Sequence, residues 1–458
     1  MSLDTPDFVE ETAPPEANSP RTPDDPTVAR NFRSFMIIWV AQLVARVGNG
    51  LTAFGLGVYV YQQTGLSASV ALVTMAAFLP GLLLGPLGGV LADRFDRRLL
   101  MILGDTLSAF GLVAMLVAFH TGHASVPVLC LCAAVSSVFG SVMDPAYRAT
   151  VTDLLTPEQY ARAGGLVQLA AAAQYLVSPA IAGLLMATYG ITTVLTVDIL
   201  TMVVTTGAMV LVWRAVGTQP REVREGFWTE FVQGLSFLKR SRGITALMLL
   251  LTLVTFCMGF LQTLLTPMVL DLADEATLGV VRSVAAVGMV VASLLIGVFN
   301  MKGSYIGWIA WSLVGGAVVV FFLGAIPNVL AIGALAFGFF LILPPLNTAV
   351  EVLVRAAIPN DTQGKIWGLM GLISQLGYIV AYAISGYLAD SVFNPLLRPG
   401  GALSESLGRF IGVGESRGIG FIFMLVGIML LGIAAAVPRV RSVRGLQAAY
   451  ASTRDGGN

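Results

Sequence analysis

Charge is scarce in this 458-residue sequence: Lys, Arg, Asp and Glu together make up 11%, and apolar residues 56%. An ordinary globular domain carries roughly 25% charged residues. The deficit excludes a soluble enzyme, a nucleic-acid binder and a disordered scaffold, since none of these leaves stretches of about 20 apolar residues with so few charges between them. Histidine occurs only at positions 120 and 123, and the three cysteines, Cys130, Cys132 and Cys257, all lie inside apolar runs. They read as small core residues, and they supply neither a disulfide framework nor a metal site. Without an HExxH pair, a nucleophile elbow or a Walker A glycine run, a membrane enzyme and a nucleotide-driven pump have little support. No cofactor, metal or nucleic-acid partner is expected.

What remains is a chain built to cross a bilayer many times. Apolar runs long enough for a core of about 30 Å fall near 35 to 61, 68 to 92, 99 to 121, 125 to 147, 163 to 188 and 191 to 213 (spans 1 to 6). Six more fall near 244 to 270, 277 to 300, 305 to 325, 328 to 352, 366 to 390 and 417 to 437 (spans 7 to 12). Residues 1–34, rich in acids and proline, read as a disordered tail, without the basic start and short apolar run of a signal peptide. An even number of spans puts both ends on one side. Placing the tails and the even-to-odd loops there collects 21 of the 26 bases, against three (Arg398, Arg409, Arg417) in the long last loop, so both termini are expected in the cytoplasm of a cell-membrane protein. Residues 214–243 link the two sets of six, and within them 227 to 240 puts Phe227, Phe231, Leu235 and Leu238 on one helical face, suited to lying along the membrane surface. Residues 438–458 read as a second tail.

The two sets echo each other. Pro157, Arg162, Gly165 and Leu166 are followed by Ala180, Ile181, Gly183 and Leu185. Pro359, Lys365, Gly368 and Leu369 are followed by Ala383, Ile384, Gly386 and Leu388, each 203 positions after its counterpart from the basic residue onward. A weaker echo joins Gly89, Val90 and Arg94 to Gly297, Val298 and Lys302. Two homologous six-helix bundles are what an alternating-access carrier needs, with cargo bound between halves that rock.

The loop after span 2, GGVLADRFDRR (88 to 98), combines close-packing glycine, an acid suited to a helix start and several bases. In Gly89, Leu91, Asp93, Arg94 and Arg97 it resembles the signature of the major facilitator superfamily, with Asp96 where that family usually has Gly. FLPGLLLGP (78 to 86), LLTPEQ (154 to 159), YLVSPAIAGLL (175 to 185) and Asp198 resemble the macrolide-efflux and siderophore-exporter branch of the drug:proton antiporters. SPAIAG (178 to 183) is similar to the antiporters' span 5 motif, with Ser178 and Ala182 where Gly is usual. The resemblance implies twelve transmembrane helices in two pseudo-symmetric bundles, and a monomeric, proton-coupled exporter of a bulky amphipathic molecule. Importer and lipid-like solute carrier are the alternatives within the fold, and a receptor or scaffold is the alternative from another class.

Ionisable groups inside spans are functional candidates by default. Arg46 lies 11 residues into span 1, about 16 Å along a helix, and two readings stand: a cavity residue holding an anionic cargo group, or a partner of Asp198. The resembling family often has an acid where this chain has Asn49, so a proton carrier is sought elsewhere, in Asp105 or Asp198, although packing hydrogen bonds would also explain both. Asp144 is placed to join Asp93 and Arg97 in the inner gate, and is the fallback proton carrier. Glu351 and Arg355 read as a solvated local pair. In the spans that line the family's cavity, the cargo candidates besides Arg46 are Gln42, Asn49, Phe256, Phe260, Gln262, Asn347, Trp367, Gln375, Tyr378 and Tyr382. The amides weigh most, since each needs a hydrogen-bond partner away from lipid.

Overall fold

In hydrocarbon every backbone polar group must be satisfied within its own segment, so each apolar run closes into a helix. A computed structural model of the chain describes residues 26–156, 159–215, 236, 241–299, 303–358 and 363–447. Among these residues there are helices and turns and no strand. Twelve helical stretches are long and apolar enough to cross a membrane. Spans 1 to 6 are Asn31–Thr64, Ser67–Ala92, Arg97–His120, Val126–Val151, Arg162–Tyr189 and Ile191–Trp213. Spans 7 to 12 are Arg242–Leu270, Glu275–Val298, Tyr305–Ala325, Val329–Arg355, Ile366–Leu397 and Arg417–Arg439. They form the two pseudo-symmetric six-helix bundles of the major facilitator fold. The amphipathic stretch 227 to 240 lies, apart from Ser236, outside the described residues, as do residues 1–25 of the first tail and 448–458 of the last.

One sequence expectation needs correction, and two further stretches carry structure that composition did not indicate. The tail expected through residue 34 is helical from Pro26, a residue pre-set for the first helical position, and Phe35 is fully buried with Phe32 packed beside it. In the long loop before span 12, a π-helical turn, Leu388–Phe393, carries span 11 on to Leu397, and Arg417 turns back to donate to the Ile411 carbonyl at 3.0 Å. The last tail continues as a 3-10 turn, Val437–Arg439, and a helix over 441–447. There Gln447 Oε1 accepts from Ser304 Oγ at 2.8 Å and from the Ile306 amide at 3.1 Å, at the start of span 9.

Span 5 is two helices, Tyr160–Leu176 and Ser178–Tyr189. Pro179 has no N–H for the Tyr175 carbonyl, and the ladder breaks at Val177. A new helix start leaves amide groups without intrahelical acceptors. One of them, Ala180 N–H, donates to Ser283 Oγ of span 8 at 3.1 Å.

That bond belongs to the seam between the halves, which closes at the ends of the spans remote from the chain termini. Span 5 meets span 8 where a Cβ on Gly183 would lie 2.6 Å from the Glu275 carbonyl oxygen and 3.1 Å from Gly279 Cα. Span 11 meets span 2 where a Cβ on Gly386 would land on the backbone of Ala68. Gly183 and Gly386 are one of the glycine pairs of the 203-residue echo, so the repeat marks two places where the halves touch. Around them Tyr61 donates to Asp271 Oδ1 at 2.6 Å and Gln62 donates to Glu275. Asp390 accepts from the amides of Ser67 and Ala68 at 3.1 and 2.7 Å. Toward the termini two glycines of the same helices face open space: Gly165 and Gly368, also 203 apart, have nothing within 4 Å of a Cβ. The apolar core agrees. It is continuous through both halves at the remote end, while around Phe35, Ile38, Met101 and Tyr147 the first half keeps a core of its own.

Because the atoms facing Gly183 and Gly386 are backbone, a side chain there can be housed only by parting the seam. Gly183→Val and Gly386→Val are therefore expected to lengthen the distance between spin labels at positions 63 and 272. Gly207→Val, at a glycine with open space around it, is the control and should leave that distance unchanged. Wild-type distances in both seam variants would reject this account of the closure.

Candidate functional site

Gln42, Arg46 and Asn49 recur at helical spacing and share one face of span 1. On that face Arg46 Nη2 pairs with Asp144 Oδ1 at 2.7 Å, the Arg46 side chain 18% exposed and that of Asp144 60%. Of the two readings of Arg46, the pairing is not the one with Asp198, and it gives Asp144 a partner in span 1. The local cause is a break in span 4 at Ser141 and Val142, before Pro145, which begins a new helix at Met143 and puts Asp144 in its first turn, where a helix N-terminus favours an acid. Gln42 Nε2, Arg46 Nε and Tyr147 Oη are buried here with no hydrogen-bond partner. Buried polar atoms are seldom left so, and each calls for an explanation.

The expected gate motif is arranged differently in detail. The close approach to span 4 is made by Gly88, whose Cβ would lie 2.8 Å from the Ser141 carbonyl oxygen, while Gly89 faces open space. Arg97 donates to the carbonyls of Ala92 at 3.2 Å and Ala149 at 2.7 Å, tying the loop to span 4. Leu91 is half-buried and Arg94 exposed; the Asp93 side chain lies outside the described residues. Asp96, where the chain departs from the family pattern, is the cap of span 3. It accepts from the amides of Arg98 at 2.9 Å and Leu99 at 3.3 Å, and from Trp213 Nε1 at 3.2 Å.

Asp105 and Asp198 sit in helix packing. Asp198, 1% exposed, accepts from Thr52 Oγ1 at 2.5 Å and Thr201 Oγ1 at 3.3 Å, and Gly48 leaves room for it against span 1. Asp105, 5% exposed, accepts from Thr205 Oγ1 at 2.9 Å. Neither is near the Arg46 guanidinium by any contact. Glu351 and Arg355 form their local pair at 2.5 Å, both well exposed.

In the second half Gln262 and Tyr382 come together, the Tyr382 hydroxyl donating to Gln262 Oε1 at 2.5 Å. Tyr378 lies beside Tyr382, ring centroids 5.7 Å apart, and Phe78 of span 2 stands edge-on to both, at 5.8 and 5.7 Å. Phe78 was not among the expected cavity residues, nor was Arg282 of span 8, whose Nη2 donates to Thr266 Oγ1 at 2.7 Å and to the Gln262 carbonyl at 3.3 Å. The signal for Arg282 was present, since an intramembrane base without an obvious acid is itself a marker. Phe260 is a correction: 4% exposed and edge-on to Phe256 at 5.2 Å, it belongs to the core. Trp367 packs partly buried against the same core, Gln375 is half-buried one turn before Tyr378, and Asn347 and Asn49 are exposed.

The sequence model of the Major Facilitator Superfamily matches residues 38–273. Among curated proteins, Macrolide efflux protein A of Streptococcus pyogenes is 25% identical over 427 residues, covering 90% of this chain and 97% of that one. Multidrug efflux pump Tap of Mycolicibacterium fortuitum is 27% identical over 377 residues, covering 78% and 89%. Two solved structures share the fold at 15% identity. One is a bacterial homolog of the human lysosomal transporter Spinster in an inward-facing and unoccupied conformation, with a TM-score of 0.63 over 93% of this chain and 96% of that one. The other is a bacterial homologue of the iron transporter ferroportin in an inward-facing state, with a TM-score of 0.64 over 89% and 98%. With twelve spans in two halves and a family match across more than half its length, this chain belongs to the major facilitator superfamily of transporters.

Proposed function

We propose that the chain is a monomeric, proton-coupled exporter of a bulky amphipathic small molecule, with both termini in the cytoplasm of a cell-membrane protein. On this reading the end of the seam remote from the termini is the outer gate, and the arrangement is inward-facing. The observation that carries it is the contrast along spans 5 and 11: backbone contact at Gly183 and Gly386, open space at Gly165 and Gly368. A cavity closed at one end and open at the other is what alternating access requires. The names of the efflux relatives support the direction, and the absence of a nucleotide motif among the sequence's features leaves an ion gradient as the energy source.

The coupling group best placed for this work is Asp144. It is exposed, it faces an ion partner across two helices, and it lies beside three unpartnered buried polar atoms. A proton reaching Asp144 releases Arg46, so occupancy of the site and the shape of the wall change together. Asp105 and Asp198 are instead buried in helix packing, away from water that could deliver a proton. Their first role in this reading is to hold span 6 to spans 3 and 1.

Drug efflux from inverted vesicles under an imposed pH gradient tests the assignment. Asp144→Asn is expected to abolish the proton dependence, while Asp105→Asn retains it. Proton-driven flux unchanged in Asp144→Asn would reject the coupling site, and wild-type flux indifferent to an uncoupler would reject proton antiport itself. Asp198→Ala, which strands the buried Thr52 hydroxyl, is expected to lower stability by about 1–3 kcal/mol, read as a fall in the thermal midpoint of the purified protein.

The orientation is tested separately on a cysteine-free background. A membrane-impermeant thiol reagent applied outside is expected to label a cysteine at Ser406 and to miss one at Arg242. The reverse pattern would overturn the topology.

A further inference from the structure

Arg282 of span 8 stands at the seam between the halves with its charge incompletely compensated. It lies seven residues into span 8, about 10 Å along the helix, where a lone charge is costly and is retained for a purpose. Its Nη2 has two neutral oxygen acceptors, Thr266 Oγ1 and the Gln262 carbonyl. Its Nε is buried with no acceptor at all. Among the described residues no carboxylate lies within ion-pair distance of it. The guanidinium instead stands 5.7 Å from the ring centroid of Phe54, which belongs to span 1 of the other half. A cation–π contact of this kind compensates the charge far less than a charge-assisted hydrogen bond to a carboxylate would.

The neighbouring groups fix the sign of what is missing. Gln262 Oε1 is occupied by the Tyr382 hydroxyl, which leaves the Gln262 amide N–H groups, on an exposed residue, as donors without a partner. Arg282 also has donors to spare, because a guanidinium carries five N–H groups and no acceptor. Two donor-rich side chains converge beside Tyr378 and Phe78, whose rings offer an apolar face. A site with surplus donors, a positive charge and an aromatic wall complements an acceptor that is negative at one end and apolar at the other.

We propose that Arg282, with Gln262, binds the carboxylate or similar anionic head of an amphipathic cargo whose apolar body lies against Phe78 and Tyr378. This rests on the transport reading above and narrows its cargo class to amphipathic anions. The charge-assisted pair is strong because it forms away from water. It is also state-dependent. Parting spans 1 and 8 removes Phe54 from the guanidinium, so an anionic cargo compensates the cation when the protein's own contact is lost.

The test is equilibrium binding to the purified full-length protein in detergent, followed by fluorescence. The probes are dansyl-labelled undecanoic acid, its methyl ester and the corresponding primary amine. Wild type is expected to bind the acid about ten-fold or more tightly than the ester, the scale of one charged hydrogen-bonded pair, and the amine least. Arg282→Gln should bring acid and ester to the same affinity; Arg282→Lys should keep a reduced preference, since it retains the charge without the planar fork. If Arg282→Gln does not yield folded protein, Gln262→Leu and Arg282→Lys carry the comparison, both being expected to weaken the acid and leave the ester. Equal affinities for acid and ester in wild type, a preference for the amine, or an acid preference undiminished in the variants would overturn the proposal. Binding is measured without a gradient, so the two readings fail separately: Arg282-dependent acid binding without proton-driven flux defeats the transporter, and proton-driven flux without acid preference defeats the site.

Discussion

The two glycine contacts across the seam set the geometry on which everything else in this protein depends. Backbones of spans 5 and 8, and of spans 11 and 2, approach so closely that a single methyl group at Gly183 or Gly386 has no room. That proximity lets the Ser283 hydroxyl reach the Ala180 amide, lets Asp390 reach the first turn of span 2, and brings Arg282 under Phe54. In a membrane, where lipid is as apolar as a leucine side chain, such close contact between small residues is a principal source of helix association. The two contacts are related by the internal repeat, so the halves close symmetrically even though little of the flanking chemistry is shared.

Charge within the spans follows a consistent economy. Asp105 and Asp198 are each met by threonine hydroxyls of span 6 or span 1, Arg46 is met by Asp144, and Arg282 is left with neutral oxygens and a ring. The Arg46 and Asp144 pair differs because both of its members are charged groups and one of them is largely exposed. An exposed ion pair contributes little to stability, so the value of this one lies in what can compete for its members.

Much of the architecture was legible because hydrocarbon leaves few options. Twelve apolar runs became twelve helical spans, and the short turn between spans 3 and 4 is made by residues 121–125, where Gly122 takes a left-handed conformation. The repeat was legible too, and it singled out the glycines at the seam. What could not be read was partnership across helices. Arg46 finds Asp144 only because span 4 breaks at Ser141, and a break is set by packing as much as by Pro145. Gly88 rather than Gly89 meets span 4 because helix rotation, a matter of neighbours, decides which of two adjacent glycines faces inward. The order of the last loop and last tail escaped composition because both are held by a few specific bonds, through Arg417 and Gln447, and composition carries no record of such bonds.

The asymmetry between the seams bears on how the protein can rock. Span 2 begins at Ser67 with Leu66 as its cap residue, a side chain that can accept nothing, and the acceptor for its first amides is Asp390 of the other half. At the related place, span 8 has its own cap: Asp274 accepts from Thr277 N–H at 2.9 Å, and hydrogen bonds from Thr277 hold its carboxyl below the usual range. Opening the seam therefore leaves span 8 capped and span 2 uncapped. A charge at a helix N-terminus is worth about 0.3–2 kcal/mol, and population shifts from 1:99 to 99:1 need about 5.5 kcal/mol. Asp390 alone can bias the closed state but cannot lock it. A transporter needs that balance, because a gate held by more than ligand binding can supply would never open.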